Sequence, residues 1–219
     1  MQALIEGQPT FADLRVVLEP GESITAEASS MSSMDADLDM QAKFNGGFIS
    51  GLLKKYLGGE SLLINVFTNN TAQPRRVTLV QGTPGDMMER TLQGDSYCLQ
   101  PGAYIASQPG VKLGLQWAGI KSFVAKEGLF RLKVSGTGVV WFGAYGGLME
   151  REIDGEFIVD SGHLVGYEPG IKLHLQLAAG LFASFFSREG IVTRLEGKGK
   201  IILQSRSLSG LAAWLKPRL

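Results

Sequence analysis

The chain has 219 residues, of which 44% are apolar and 19% are charged, so it has ample material for a buried core and lacks the composition of a disordered segment. Lys plus Arg and Asp plus Glu each number 21, and this balance argues against a surface that binds polyanions such as nucleic acids. The single cysteine, Cys98, excludes an intrachain disulfide, and no Cys/His spacing typical of a zinc site is present.

The length predicts one domain over residues 1–219, because all-β domains of this size are common. The 29 glycines suit a chain with many tight turns. Residues 1–7 lack the basic start and apolar run of a secretion signal, and no stretch reaches the roughly 18 uncharged apolar residues of a membrane span. We therefore expect a cytoplasmic protein.

The first clear pattern in chain order is an alternation of apolar and acidic residues over 34–40. Its members are Met34, Ala36, Leu38 and Met40, alternating with Asp35, Asp37 and Asp39. A period of two predicts a half-buried strand, here with an acidic face. An EF-hand loop begins in a similar way, but Met40 and Gly46 stand where that loop needs Gly and Glu. A cation or a basic partner strand on the acidic face is the alternative.

The segment between Gly46 and Gly59 departs from this β pattern. Its apolar residues fall at helical spacing beside two adjacent lysines, which predicts a short amphipathic helix bracketed by glycines. Such a helix is a candidate contact for a partner protein or, weakly, for a membrane surface; packing on the sheet or against another subunit is the alternative. The candidate residues are Phe48, Ile49, Leu52, Leu53, Lys54, Lys55 and Tyr56.

Two later segments are diverged copies of one pattern. Residues 97–116 overlay residues 157–176 without a gap, with identities that include the Pro-Gly pair at 109–110 and 169–170. Apolar residues alternate with polar ones over 111–117 and 171–177, which predicts strands. A fainter copy precedes them, where residues 18–21 resemble 99–102. We predict three β repeats at about 14–70, 75–145 and 148–206, followed by a short C-terminal tail at 207–219.

Three reactive side chains lie inside these copies. Cys98 takes a hydrophobic position whose counterparts are Val17 and Ile158, which predicts a small buried side chain and not a nucleophile. His163 and His174 are interpreted as surface imidazoles, with a metal or proton-transfer role as the alternative. The apolar cluster at 177–186 recurs at the place of 117–123, which indicates core or subunit contact. No catalytic motif is present, so we assign no catalytic, cofactor or metal residues and expect no enzyme.

Several Gly-rich motifs, taken in order, resemble one known family. They are the runs 45–48 and 59–68, the two Pro-Gly strand starts, the turn at 135–138 and the tail at 207–211. Together they are similar to bacterial relatives of the mitochondrial biogenesis protein "altered inheritance of mitochondria 24", from about residue 10 to the tail. The resemblance implies a β-rich, double-stranded β-helix-like fold grouped with the tryptophan RNA-binding attenuator protein, homotrimers, and an uncharacterised activity.

We therefore expect an all-β fold with at most short helices, in a pseudo-threefold, double-stranded β-helix-like or β-prism-like arrangement. The first functional hypothesis is a non-enzymatic homo-oligomer, with a trimer favoured, that binds or assembles with an unknown protein partner and contacts a membrane surface weakly. The second is a protein that binds a small molecule or metal in a pocket between repeats. The third is RNA binding by analogy of fold, against which the neutral charge argues.

Overall fold

The protein was studied as a computed structural model, and the structure describes residues 1–44, 63–100, 102–117, 130–177 and 191–216. The elements in this part are β1 (Gln2–Glu6), β2 (Asp13–Leu18), β3 (Ser23–Glu27), β4 (Met31–Met34), β5 (Asp39–Phe44), β6 (Leu63–Thr68), β7 (Arg75–Val80), β8 (Met87–Leu99), β9 (Tyr104–Ser107), β10 (Val111–Trp117), β11 (Phe130–Gly143), β12 (Leu148–Asp160), β13 (Leu164–Tyr167), β14 (Lys172–Leu177), β15 (Ile191–Gln204) and α1 (Leu208–Leu215). The prediction of an all-β fold is confirmed.

The strands form two antiparallel sheets. A four-stranded sheet has the order β1-β2-β7-β4, and an eleven-stranded sheet runs β12-β15-β13-β8-β11-β9-β3-β6-β5, with β10 paired to β11 and β14 paired to β15. The alternation seen in the sequence forms these strands. In β2, for example, Leu14, Val16 and Leu18 point into the core while Arg15 between them is exposed.

Two long strands organise the second and third groups of strands. β11 pairs with β8 along one side and with β10 and β9 along the other, and β15 pairs in the same way with β12, β14 and β13. In the first group two shorter strands take this role: β7 pairs with β2 and β4, and β6 pairs with β3 and β5. We call these groups unit 1 (β2 to β7), unit 2 (β8 to β11) and unit 3 (β12 to β15). Residues 75–80, which we placed in the second repeat, thus pair within unit 1.

A polar residue after β4, β9 or β13 makes the same contacts in each unit. Its side chain accepts a hydrogen bond from a backbone N–H of the long strand or its counterpart: Asp35 from Arg76 at 2.8 Å, Gln108 from Val139 at 2.9 Å, and Glu168 from Lys200 at 3.0 Å. In all three cases the backbone N–H of this polar residue also donates to the carbonyl of the residue whose N–H its side chain accepts. The units therefore share local contacts, while their pseudo-threefold arrangement stays a prediction.

The single strand predicted over residues 34–40 is wrong. β4 ends at Met34 and β5 begins at Asp39, and between them a turn is closed by the Leu38 N–H, which donates to the Asp35 carbonyl at 3.1 Å. Asp37 pairs with Arg75 at 3.1 Å. Aspartate side chains bond readily to nearby backbone and so favour turns over strands, which an apolar/polar alternation alone does not reveal.

The buried core continues from each unit into the next. Ile105 and Trp141 of unit 2 pack in one cluster with unit 1 residues such as Ile24, and Val165 and Ile202 of unit 3 pack in a second cluster with unit 2 residues. A third cluster combines unit 3 residues with Cys98 of unit 2. Adjacent units therefore stabilise each other by shared apolar burial.

Gly166 lies where units 2 and 3 approach each other closely. A Cβ at this position would lie 2.6 Å from Cε1 of Tyr97 and 3.0 Å from the Cys98 carbonyl oxygen. We expect Gly166→Ala to lower the free energy of unfolding by about 1–3 kcal/mol, as for other overpacked sites. Urea unfolding followed by circular dichroism measures this. Gly114→Ala is the control, since its Cβ would meet only the Lys133 carbonyl at 3.8 Å; equal losses for both variants would contradict the prediction.

Candidate functional site

The boundary between units 2 and 3 shows how two units join. The end of β8 pairs with β13 through Leu99 opposite Gly166 and Cys98 opposite Tyr167. The boundary between units 1 and 2 uses the same arrangement, in which β3 pairs with β9. Its residue pairs are Ala26 opposite Ala106 and Thr25 opposite Ser107. Each boundary is thus a short antiparallel pairing of one unit's strand end with the next unit's short strand.

A charged and aromatic cluster reinforces the boundary between units 2 and 3. The Arg90 guanidinium carbon lies 4.4 Å from the centroid of the Tyr97 ring, and Nη2 of Arg90 donates to Oε1 of Glu168 at 2.8 Å. Both partners of this ion pair are mostly buried, which limits screening by solvent. Burial raises the pKa of Tyr97, so its hydroxyl stays neutral. The cluster ties the first strand of unit 2 to the turn after β13.

A third boundary of this kind is absent from the described residues. There β12 pairs only with β15, and β4 pairs only with β7. Ile158 of β12 takes the position that Cys98 takes in β8, yet Ile158 is 60% exposed while Cys98 is 0% exposed. We call residues 157–159 of β12 and residues 31–34 of β4 the open edges. Their outward backbone groups have no strand partner in the part of the chain that the structure describes, and such groups can pair with another strand.

Beside the open edge of β12, half of the boundary cluster is already present. The Arg151 guanidinium carbon lies 4.5 Å from the centroid of the Phe157 ring, which repeats the contact between Arg90 and Tyr97. Arg90 also pairs with Glu168 from the following unit, whereas Arg151 makes no ion pair with any described residue. The arrangement thus repeats the ring contact of Arg90 without an acidic partner among the described residues.

The structure places the three reactive side chains singled out in the sequence in different surroundings. Cys98 is buried as predicted, and burial raises the pKa of its thiol. His163 is not the solvated imidazole we predicted: it is partly buried, with Nδ1 2.7 Å from the Gln204 carbonyl oxygen, because it ends a short 3-10 turn (Ser161–His163) that packs on β15. His174 is exposed and lies 3.3 Å from Glu196. In the described ranges no group of three His, Cys, Asp or Glu side chains is placed to hold a metal.

The predicted contact residues Phe48, Ile49, Leu52, Leu53, Lys54, Lys55 and Tyr56 lie outside the described residues, as does most of the apolar cluster at 177–186. The segment 45–62 joins the paired ends of β5 and β6. In the same way 118–129 joins β10 to β11, and 178–190 joins β14 to β15. None of the helices that the structure describes is long and apolar enough to cross a membrane.

The sequence did not point to Arg151, Phe157 or Ile158 as interaction residues. The overlay of the two copies matches Ile158 with Cys98 and so predicts burial for both. Only the strand order shows that unit 3 covers Cys98 while no second described strand covers Ile158.

Residues 3–206 match the family model described as Mitochondrial biogenesis AIM24. The chain belongs to this family. The resemblance noted from the Gly-rich motifs is thereby confirmed, and the match spans all three units of this AIM24-family chain. The description of the family names no molecular activity.

Two proteins of Streptococcus pyogenes are similar to this AIM24-family chain. An uncharacterized protein of serotype M6 is 25% identical over 225 residues, covering 99% of this chain and 90% of that protein. A crystal structure of an S. pyogenes protein superposes with a TM-score of 0.81 at 23% identity, covering 100% of this chain and 99% of that one. The second likeness shows the fold alone, and neither name states a function.

Proposed function

We propose that this AIM24-family chain is a non-enzymatic protein that assembles with copies of itself and acts as a binding or assembly scaffold. One observation carries the proposal: among the described residues no second strand pairs with the open edges of β12 and β4, and Ile158 is exposed at the position where unit 2 buries Cys98. Free backbone groups next to exposed apolar side chains favour pairing with a further strand.

The distribution of charge along β12 supports this reading. Long edge strands are usually protected by charged side chains. The first part of β12 has this protection in the row Glu150, Arg151, Glu152, Asp154 and Glu156. The open edge at residues 157–159 is Phe-Ile-Val and has no charge. Charged side chains therefore protect β12 against unspecific pairing along most of its length, and the strand is uncharged at residues 157–159, where a further strand would pair.

A trimer is the expected assembly, supported by the family resemblance. A cytoplasmic location and a weak membrane contact through residues 48–56 also belong to the proposal and are supported by the sequence alone. No contact among the described residues favours the metal, small-molecule or RNA hypotheses over self-assembly.

Size-exclusion chromatography with light scattering of the purified wild-type chain tests the proposal. We expect a mass that is a multiple of the 23.6 kDa chain, with three copies favoured. A strict monomer throughout the micromolar range would contradict self-assembly.

A further inference from the structure

The two boundaries inside the chain define the geometry that a third would have. In each, the register of the short strand against its long strand shifts once, and the last residue after the shift lies opposite a residue of the neighbouring unit. Ser107 pairs with Val140 of its own unit and faces Thr25, and Tyr167 pairs with Ile201 of its own unit and faces Cys98. β4 has the same shift, and Met34 pairs with Val77 after it. Met34 therefore occupies the place of Ser107 and Tyr167.

From these positions we infer that β12 of one copy pairs antiparallel with β4 of the next, head to tail, with Met34 opposite Ile158 and Ser33 opposite Val159. The inference rests on the proposed function and names the surface, partner and register of the assembly. It continues the contact already present between units 1 and 2 and between units 2 and 3. A head-to-tail contact of this kind forms a ring when its rotation closes.

Charge at the two open edges is complementary in the same register. Asp35 follows Met34 as Glu168 follows Tyr167, and one carboxylate oxygen of each accepts a backbone N–H. The other oxygen of Glu168 binds Arg90. Arg151 matches Arg90, since each lies opposite the long-strand residue that pairs with the short strand. Arg151 of one copy is thus placed to pair with Asp35 of the next.

Apolar contact at this junction is smaller than inside the chain. Met34 packs against the core of unit 1, so Ile158 of the preceding copy would extend that core. However, Ser32 stands where units 2 and 3 have the buried residues Ile105 and Val165. Less apolar area is therefore removed from water between copies than between units, and we expect the copies to separate on dilution while each chain stays folded.

Disulfide trapping between co-expressed single-cysteine variants tests the register. Directly opposite residues of an antiparallel pair lie about 4.5–5.5 Å apart at Cα, within the range a disulfide spans. We expect Met34→Cys co-expressed with Ile158→Cys to give a covalent dimer under oxidised glutathione. Each variant alone should give none, because head-to-tail pairing does not place either residue against itself. Cys98 is buried and stays in all variants.

Leu4→Cys with Ile158→Cys is the control pair, because Leu4 is exposed on β1, at the edge of the four-stranded sheet opposite to β4. If the wild type is an oligomer by light scattering but the Met34 pair traps no more dimer than this control, the register is overturned and the proposed function stands. If the wild type is a strict monomer, both are overturned. Selective trapping of the Met34 pair supports both.

Discussion

Replacing Trp141 with Ala is expected to lower the free energy of unfolding by about 3–5 kcal/mol, the usual cost of removing a large aromatic side chain from a packed core. Trp141 is 2% exposed and packs in the cluster that joins unit 2 to unit 1. Its Nε1 donates to Oε2 of Glu89 at 3.2 Å, and this hydrogen bond is also lost. Urea unfolding followed by circular dichroism measures the change.

Phe11→Ala is the matched aromatic control, because the Phe11 side chain is 72% exposed. We expect its effect to stay within about 0.5 kcal/mol, as for most surface substitutions. If Trp141→Ala cost no more than Phe11→Ala, the shared core between units 1 and 2 would not stabilise the fold as described.

Reversing the charge of Arg151 is expected to weaken self-association. Arg151→Glu would place a second carboxylate against Asp35 of the next copy, at a cost of about 1–2 kcal/mol, or roughly tenfold in the dissociation constant. Combining it with Asp35→Arg restores an opposite-charge pair, with loss of the hydrogen bond from the Arg76 N–H to Asp35, and should recover part of the affinity. Sedimentation velocity over a dilution series measures both dissociation constants, and the fold of each chain is checked by its unfolding curve.

Lys198→Glu controls for a change in overall charge of the same size. Lys198 is exposed and pairs with Asp154 of its own chain at 2.9 Å, so its reversal should leave association unchanged. A double variant at Arg151 and Asp35 as weak as the single variant, or an equal loss for Lys198→Glu, would argue against a specific pair between copies.

The local sequence pattern was sufficient to predict strands that pair within their own unit. Alternation over 111–117 and 171–177 correctly predicted β10 and β14, and the apolar setting of Cys98 correctly predicted its burial. These features depend on neighbours a few residues away and on a simple inside/outside rule, which period-two patterns record directly.

Features that depend on distant partners were not predictable in this way. Residues 35–38 alternate like a strand, but the Asp35 carboxylate bonds to the Arg76 N–H, 41 positions along the chain, and a turn forms instead. Residues 75–80 pair with β2, whose residues precede them by about sixty positions, and so belong to unit 1. In unit 1 two separate strands replace the single long strand of the other units, which hid this pairing in the sequence.

The candidate site was not predictable from the sequence for the same reason, because it depends on which strands pair. Cys98 and Ile158 are equivalent in the sequence copies, but their exposures of 0% and 60% differ, because β13 pairs with the end of β8 while no second described strand pairs with β12. Sequence identity between repeats gives no information about which repeat is covered by a neighbouring unit. Strand order supplies that information, and with it the two open edges.

The molar mass of the wild-type chain over a dilution series, with Ile158→Asp run alongside it, tests self-assembly through the open edges most directly. We expect the wild type to have a multiple of the 23.6 kDa chain mass, favouring three copies, and to dissociate on dilution. Ile158→Asp should be monomeric at the same concentrations and unfold at the same urea concentration, because the side chain is exposed in the single chain. A wild type that is monomeric at every concentration, or an Ile158→Asp variant that assembles as the wild type does, would contradict assembly through these edges.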